Sequence, residues 1–150
     1  MTVTPTNLDD PCNCLALRRA ARYLTATYDK ALSPVGLRAT QFTILRQLSA
    51  HGAMTITRLA DMISMDRTTM ATNLKPLARE QLVTIAPSAT DRRARIVTIT
   101  PDGLTRIDAA LPLWRGAQVR FEEKFGADEA ARLRASLGAV LDTGFQPWAE

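Results

Sequence analysis

Thr55-Ile56-Thr57-Arg58-Leu59-Ala60-Asp61-Met62-Ile63 reads as a short amphipathic helix, and Ser64-Met65-Asp66 as a turn. Arg67 to about Gln81 then reads as a second helix that displays Arg67, Thr68, Thr69, Thr72, Asn73 and Lys75. Leu82-Val83-Thr84-Ile85 and Ile96-Val97-Thr98-Ile99-Thr100 are strand-like, with the basic segment Asp91-Arg92-Arg93-Ala94-Arg95 between them. The order is helix, turn, helix, strand, basic loop, strand, which is a winged helix-turn-helix. It sets one helix for a DNA major groove beside a loop able to reach phosphates or the minor groove.

Outward from this centre, capping signals set the remaining elements. Asp10-Pro11 opens a first helix, with Asp10 as cap and Pro11 at the first helical position, running to about Leu32 before Ser33-Pro34 and Gly36. A second runs from about Ala39 to Ala50, with Phe42, Leu45 and Leu48 on one face and Gly52 beyond its end. Ala53-Met54 is short enough for a small edge strand. Thr100-Pro101-Asp102 repeats the cap-and-proline signal and opens a long helix to about Phe125; a last helix spans about Asp128 to Thr143. The expected fold is mainly α with a small β wing. Residues 1–150 form one domain, in which about 36–100 are the DNA-binding core and about 11–35 and 101–150 the flanking helices.

The flanking helices carry more apolar positions than a monomer core of this size requires: Leu15, Leu24 and Leu32 at one end, and Leu104, Ile107, Leu111, Trp114, Phe121, Leu133, Leu137 and Leu141 at the other. Two-fold dimerisation is the natural use, because duplex sites are commonly read by symmetric dimers. The net charge is +4. Between Gly52 and Thr100 there are 7 basic and 4 acidic residues, so most of the surplus falls on the segment expected to meet DNA.

No apolar run reaches the length of a membrane span, and Met1 to Asp10 lacks the pattern of a signal peptide, so a cytoplasmic protein is expected. One His and two Cys make no zinc pattern, and no cofactor loop or nucleophile motif is present; neither metal nor cofactor is expected. An enzyme, the most distant reading, would be a thiol-dependent peroxidase.

The arrangement resembles the MarR family of bacterial transcriptional regulators over nearly the whole chain. Gly36-Leu37 with Gln41-Phe42 and Leu45 carries the resemblance first. Leu59-Ala60, Asp66-Arg67-Thr68-Thr69, Leu74, Leu77 and Leu82-Val83 carry it next. The most specific stretch is Asp91-Arg92-Arg93-Ala94-Arg95 with Val97-Thr98-Ile99-Thr100. The resemblance implies an obligate homodimer, triangular in outline, on a palindromic double-stranded operator, as repressor or sometimes activator. Two positions depart from the family pattern: Arg38 stands where Thr is frequent, and Gln81 where Gly usually precedes the Leu-Val strand.

Each candidate site residue has a chemical reason. Arg67 suits guanine O6 and N7, while Thr68 and Thr69 suit phosphate or a thymine methyl. Thr72, Asn73 and Lys75 extend that surface, Lys75 toward phosphate. Pro76 removes one helical N–H, so a slight kink is expected there. In the wing, Asp91 and Arg93 are expected to pair and stiffen the loop, leaving Arg92 and Arg95 for DNA.

Cys12 is expected in the first helical turn and Cys14 barely beyond it, near Arg18 and Arg19, where N–H groups and the helix dipole favour a thiolate. An exposed thiol so placed suits peroxide sensing. Tyr28 stands 14 residues after Cys14, as the resemblance to the organic-hydroperoxide-sensing branch implies. Fourteen residues span about 21 Å of helix, so Tyr28 would meet Cys14 only across a two-fold axis. That branch has a second Tyr where this chain has Arg18. The other inducer class is a small anionic aromatic ligand. Arg18, Arg22 and Arg46 are its candidate anchors, and Trp114, Phe42 and Met54 its candidate walls. His51 reads as a surface residue at a helix end.

Overall fold

The computed structural model describes residues 11–149. Among them six α-helices surround a three-stranded antiparallel sheet: α1 (Asn13–Leu32), α2 (Ala39–His51), β1 (Met54–Thr55), α3 (Ile56–Met62), α4 (Arg67–Arg79), β2 (Val83–Pro87), β3 (Arg95–Ile99), α5 (Pro101–Phe125) and α6 (Ala127–Leu141). A 3₁₀ turn at Ser33–Val35 joins α1 to α2. Every expected element is present, within a few residues of its expected bounds.

The start of α1 differs from the sequence expectation. Asp10 lies outside the described residues. Cys12 is the cap, in an extended conformation, and its Sγ accepts the Leu15 N–H at 3.3 Å. Cys12 therefore sits before the helix and Cys14 is its second residue. At the other end of α1, Asp29 Oδ1 accepts the Ala39 N–H at 2.7 Å, so α1 supplies a carboxylate to the first turn of α2. The Arg38 N–H is taken by Gln41 Oε1 at 2.9 Å, which closes the turn that Arg38 occupies in place of the usual Thr.

The sheet runs β1-β3-β2, with Met54 opposite Val97, and Val83 opposite Ile99 through to Pro87 opposite Arg95. Pro87 is tolerated because β2 is an edge strand, where a missing N–H breaks no ladder on its open side. The core gathers Leu32, Phe42, Ile44, Leu45 and Leu48 against Leu59, Met70, Leu74, Leu77, Val97 and Ile107. Leu77 and Leu74 thus tie α4 to the body while its opposite face stays open.

Gln81 explains its own departure from the family pattern. It adopts φ +60°, in the left-handed region that glycine usually fills. The Leu82 N–H reaches back to Leu77 O at 2.9 Å and the Gln81 N–H to Ala78 O at 3.0 Å. These two bonds form the Schellman closure that ends a helix with a left-handed residue. Leu82 and Leu77, both buried, add the apolar contact that accompanies it.

The ends of the molecule are sparsely covered. Within α6 only Ala130 is buried, and Leu137, Val140 and Leu141 face outward, as do Leu15 and Leu17 at the start of α1. No helix among the described residues is long and apolar enough to cross a membrane.

Candidate nucleic-acid interface

Helix α4 starts at a well-made cap. Asp66 Oδ1 accepts the Thr69 N–H at 2.9 Å, and its second oxygen takes the Thr69 hydroxyl. These two bonds, the hydroxyl first, hold the Asp66 carboxyl below its ordinary range. Asp66, placed in the turn by sequence, is thus the cap of α4, and an Asp three residues before Thr69 is the signature of such a cap.

The expected contact residues separate into two groups. Thr69 gives its hydroxyl proton to Asp66, and Thr72 Oγ1 donates to Thr68 O at 3.1 Å. Asn73 Nδ2 donates to Thr69 O at 2.9 Å and rests near Met65 Sδ. These three side chains spend donors inside the helix-turn-helix itself, which is the back-bonding that short polar side chains adopt on helices. Arg67, Thr68 and Lys75 are exposed on the same helix. Arg67 and Lys75 carry the charge that a phosphate or a guanine edge would meet. Pro76 lies inside α4, which continues through it to Arg79.

The wing is the loop of residues 88–94 between β2 and β3. The expected ion pair is replaced here by a different bond: Asp91 Oδ1 accepts the backbone N–H of Arg93 at 2.9 Å, not its guanidinium. The reason is reach, since a carboxylate closes on the N–H two residues ahead as a compact Asx turn. Ser88, which sequence reading missed, organises the other side. Its N–H donates to Ala94 O at 2.9 Å, and its Oγ accepts the N–H groups of Thr90 and Asp91 at 3.3 and 3.4 Å. Arg92 and Arg93 are thus exposed on a loop whose backbone is internally bonded, and Arg95 is exposed at the first position of β3.

The sensor candidates are only partly brought together. Cys12 and Cys14 are both free and exposed. Within the chain Tyr28 lies far down α1 from them, and its hydroxyl is held by Gln118 Oε1 of α5. Burial, and then the nearby Glu122, raise the Tyr28 pKa above its ordinary value, with Arg134 opposing. Gln118 had no signal in the sequence, because it is brought to Tyr28 only by the packing of α5 on α1.

Trp114 stacks on Phe42 at 5.7 Å between ring centroids, and the Arg46 guanidinium lies 4.8 Å from the Trp114 ring centre. A cavity of about 310 Å³ opens beside them, among α1, α2 and α5, lined by Thr25, Tyr28, Phe42, Thr43, Trp114 and Gln118 with neighbouring apolar residues. The proposed anchors do not converge on it. Arg18 and Arg22 are exposed on α1, and Arg22 lines a separate open groove with Arg19 and Tyr23. Met54 is buried in the sheet, paired with Val97, rather than in the cavity wall. The reason is register: the inward face of α1 carries Ala21, Thr25 and Tyr28, leaving Arg22 outside. His51 ends α2 and is exposed. Among the described residues no group of three or more His, Cys, Asp or Glu side chains is placed to hold a metal ion.

Comparison with known proteins agrees with this geometry. The MarR family model matches residues 37–94. The chain is 30% identical over 127 residues to the HTH-type transcriptional repressor NicR of Pseudomonas putida, covering 85% of this chain and 80% of that protein. It is 24% identical over 130 residues to the organic hydroperoxide resistance transcriptional regulator of Bacillus subtilis, covering 87% of each. Among solved structures, the M. tuberculosis transcriptional regulator MosR in complex with DNA superposes with a TM-score of 0.77 at 37% identity, over 88% of this chain and 97% of that one.

Proposed function

The chain belongs to the MarR family of DNA-binding transcriptional regulators, and from that premise we propose that it is a homodimeric repressor released from a palindromic operator by thiol oxidation. The observation that carries the oxidation step is the start of α1. Two exposed thiols stand two residues apart, one at the helix cap and one in the first turn. Similarity to an organic hydroperoxide resistance regulator supports the same reading.

The chemistry balances with an organic hydroperoxide as oxidant. A thiolate sulfur attacks the peroxide oxygen, giving a sulfenic acid and an alcohol; the second thiol then condenses with it, forming a disulfide and releasing water. Cys12 lies outside helical geometry already, so pairing it with Cys14 requires only the first turn of α1 to open, with loss of the Leu15 N–H bond to Cys12 Sγ. Pairing across the dimer is the other route. The exposed apolar residues of α1 and α6 supply the surface for a second copy. Arg67 and Thr68 would then read each half-site, and Lys75 and the wing arginines would hold the backbone.

The test is fluorescence anisotropy of reduced protein on DNA from upstream of its own gene. About one equivalent of cumene hydroperoxide is added per chain, a stoichiometry set by one thiol per sensing site, followed by dithiothreitol. Release and recovery support the proposal; firm binding throughout refutes the oxidation step and leaves DNA reading intact.

The cavity beside Trp114 favours a second reading, release by a small aromatic ligand with the cysteines structural. Its lining donors and acceptors are uncharged, and Arg46 lies over the Trp114 ring without lining the cavity. Quenching of tryptophan fluorescence by an added aromatic acid, with parallel loss of DNA binding, is the outcome that reading requires.

A further inference from the structure

Three positions on one face of the α5 start meet three consecutive residues that leave α4. Thr100 Oγ1 donates to Gln81 O at 2.7 Å, and the Thr100 N–H donates to Leu82 O at 3.0 Å. Gly103 lies so close that a Cβ there would stand 2.2 Å from Leu82 O. One turn on, Arg106 Nη1 reaches Glu80 Oε2 at 3.4 Å. The same nitrogen donates to Val35 O at 3.0 Å, in the turn between α1 and α2. Gly36 follows with φ +69°, and a Cβ there would lie 3.4 Å from that nitrogen.

We propose that Arg106 is a positioning residue for DNA binding: one guanidinium holds the exit of α4 and the α1–α2 turn against α5, and so sets the direction in which α4 is presented. The inference rests on α4 being the base-reading helix. An exposed ion pair adds little stability by itself. The value of this one is geometric: the two N–H groups of Nη1 are fixed in the plane of a rigid guanidinium and hold both partners at set angles, whereas the three donors of an ammonium rotate freely on a flexible stem. The strained left-handed Gln81 lies inside the same joint, where strain persists only if its surroundings hold it. Tilting α4 would misplace hydrogen bonds to base edges, which need narrow geometry. Contacts from flexible side chains to phosphate would survive.

The experiment selects DNA from a random-sequence pool with the wild-type protein. It then compares Arg106→Ala and Arg106→Lys on selected and scrambled duplexes. Both variants are expected to lose at least about five-fold on selected DNA, the loss of one base-reading contact. They should stay within about two-fold on scrambled DNA, where phosphate contacts dominate. Equal losses on both duplexes, or none on either, overturn the proposal; Arg106→Lys keeps the test intact if the Ala variant does not fold. If the wild type selects no sequence, base reading by α4 is what fails, and intrachain distance decides the joint. Spin labels at Thr68→Cys and Glu123→Cys, in a Cys12→Ser, Cys14→Ser background diluted with unlabelled protein, should show a broadened or shifted distance in Arg106→Lys. An unchanged distance overturns the proposal.

Discussion

Asp66 and Thr69 are joined twice, carboxylate to backbone N–H and carboxylate to hydroxyl, so the start of α4 depends on one ionised group. Its folded pKa lies below the ordinary value. The stabilisation is therefore complete above the usual carboxylate range and fades as pH falls through the depressed folded value. Asp66→Ala should lower Tm near neutral pH, and Asp66→Asn, which can still accept the Thr69 N–H, should lower it less. A pH series of thermal melts should show the difference between wild type and Asp66→Asn closing under acid. A difference that stays constant with pH counts against a charged cap.

Gln81 and Gly103 make opposite predictions on the two sides of one joint. Gln81→Gly should relieve the left-handed conformation, and after the entropy of glycine is set against it the gain is about 0.5–1 kcal/mol. Gly103→Ala should destabilise by about 1–3 kcal/mol, since the new Cβ must push Leu82 O aside. Urea denaturation measures both; stabilisation by Gly103→Ala would show that the contact yields freely.

Arg67 and Arg92 should differ in kind. Arg67→Ala should weaken binding to the preferred DNA by about 1–3 kcal/mol and relax base choice at one position. Arg92→Ala should weaken preferred and scrambled duplexes alike and reduce the salt dependence by about one counterion. Titrations at three salt concentrations separate the two, and a parallel loss on scrambled DNA for Arg67→Ala would remove it from base reading.

For the thiols, Cys14→Ser and Cys12→Ser should each leave DNA binding intact under reducing conditions, and each should block the disulfide that locks release. Intact mass under non-reducing conditions should show wild type losing two hydrogens per disulfide after peroxide treatment. Release of both single variants, as complete and as reversible as in wild type, would falsify a two-cysteine switch.

Apart from the start of α1, where Cys12 is the cap, helix ends and strand pattern were legible in the chain because they depend on neighbours in sequence. Thr100-Pro101 opens α5 as its caps and φ restriction require, and Gly52 ends α2 as expected. The exposed face of α4 was legible in part for the same reason: Thr68 and Lys75 turn away from Leu74 and Leu77 by helical period, while Arg67 is exposed because it opens the helix. Gln81 was marked as unusual only by the resemblance to the family, which usually has Gly at that position. Which donors remain free was not legible. Thr69, Thr72 and Asn73 read as equivalent to Thr68 until their hydrogen bonds to Asp66 and to the helix backbone were placed.

What only the tertiary structure decided lies between residues far apart in sequence. Tyr28 meets Gln118, and Arg106 meets both Val35 and Glu80. The cavity takes Trp114 and Tyr28 but leaves Arg18 and Arg22 on the surface. Periodicity tells which side of a helix turns inward, but not which residue of another helix stands opposite it. That is set by how side chains of α1, α2 and α5 interlock when the core closes, and close packing admits one such register.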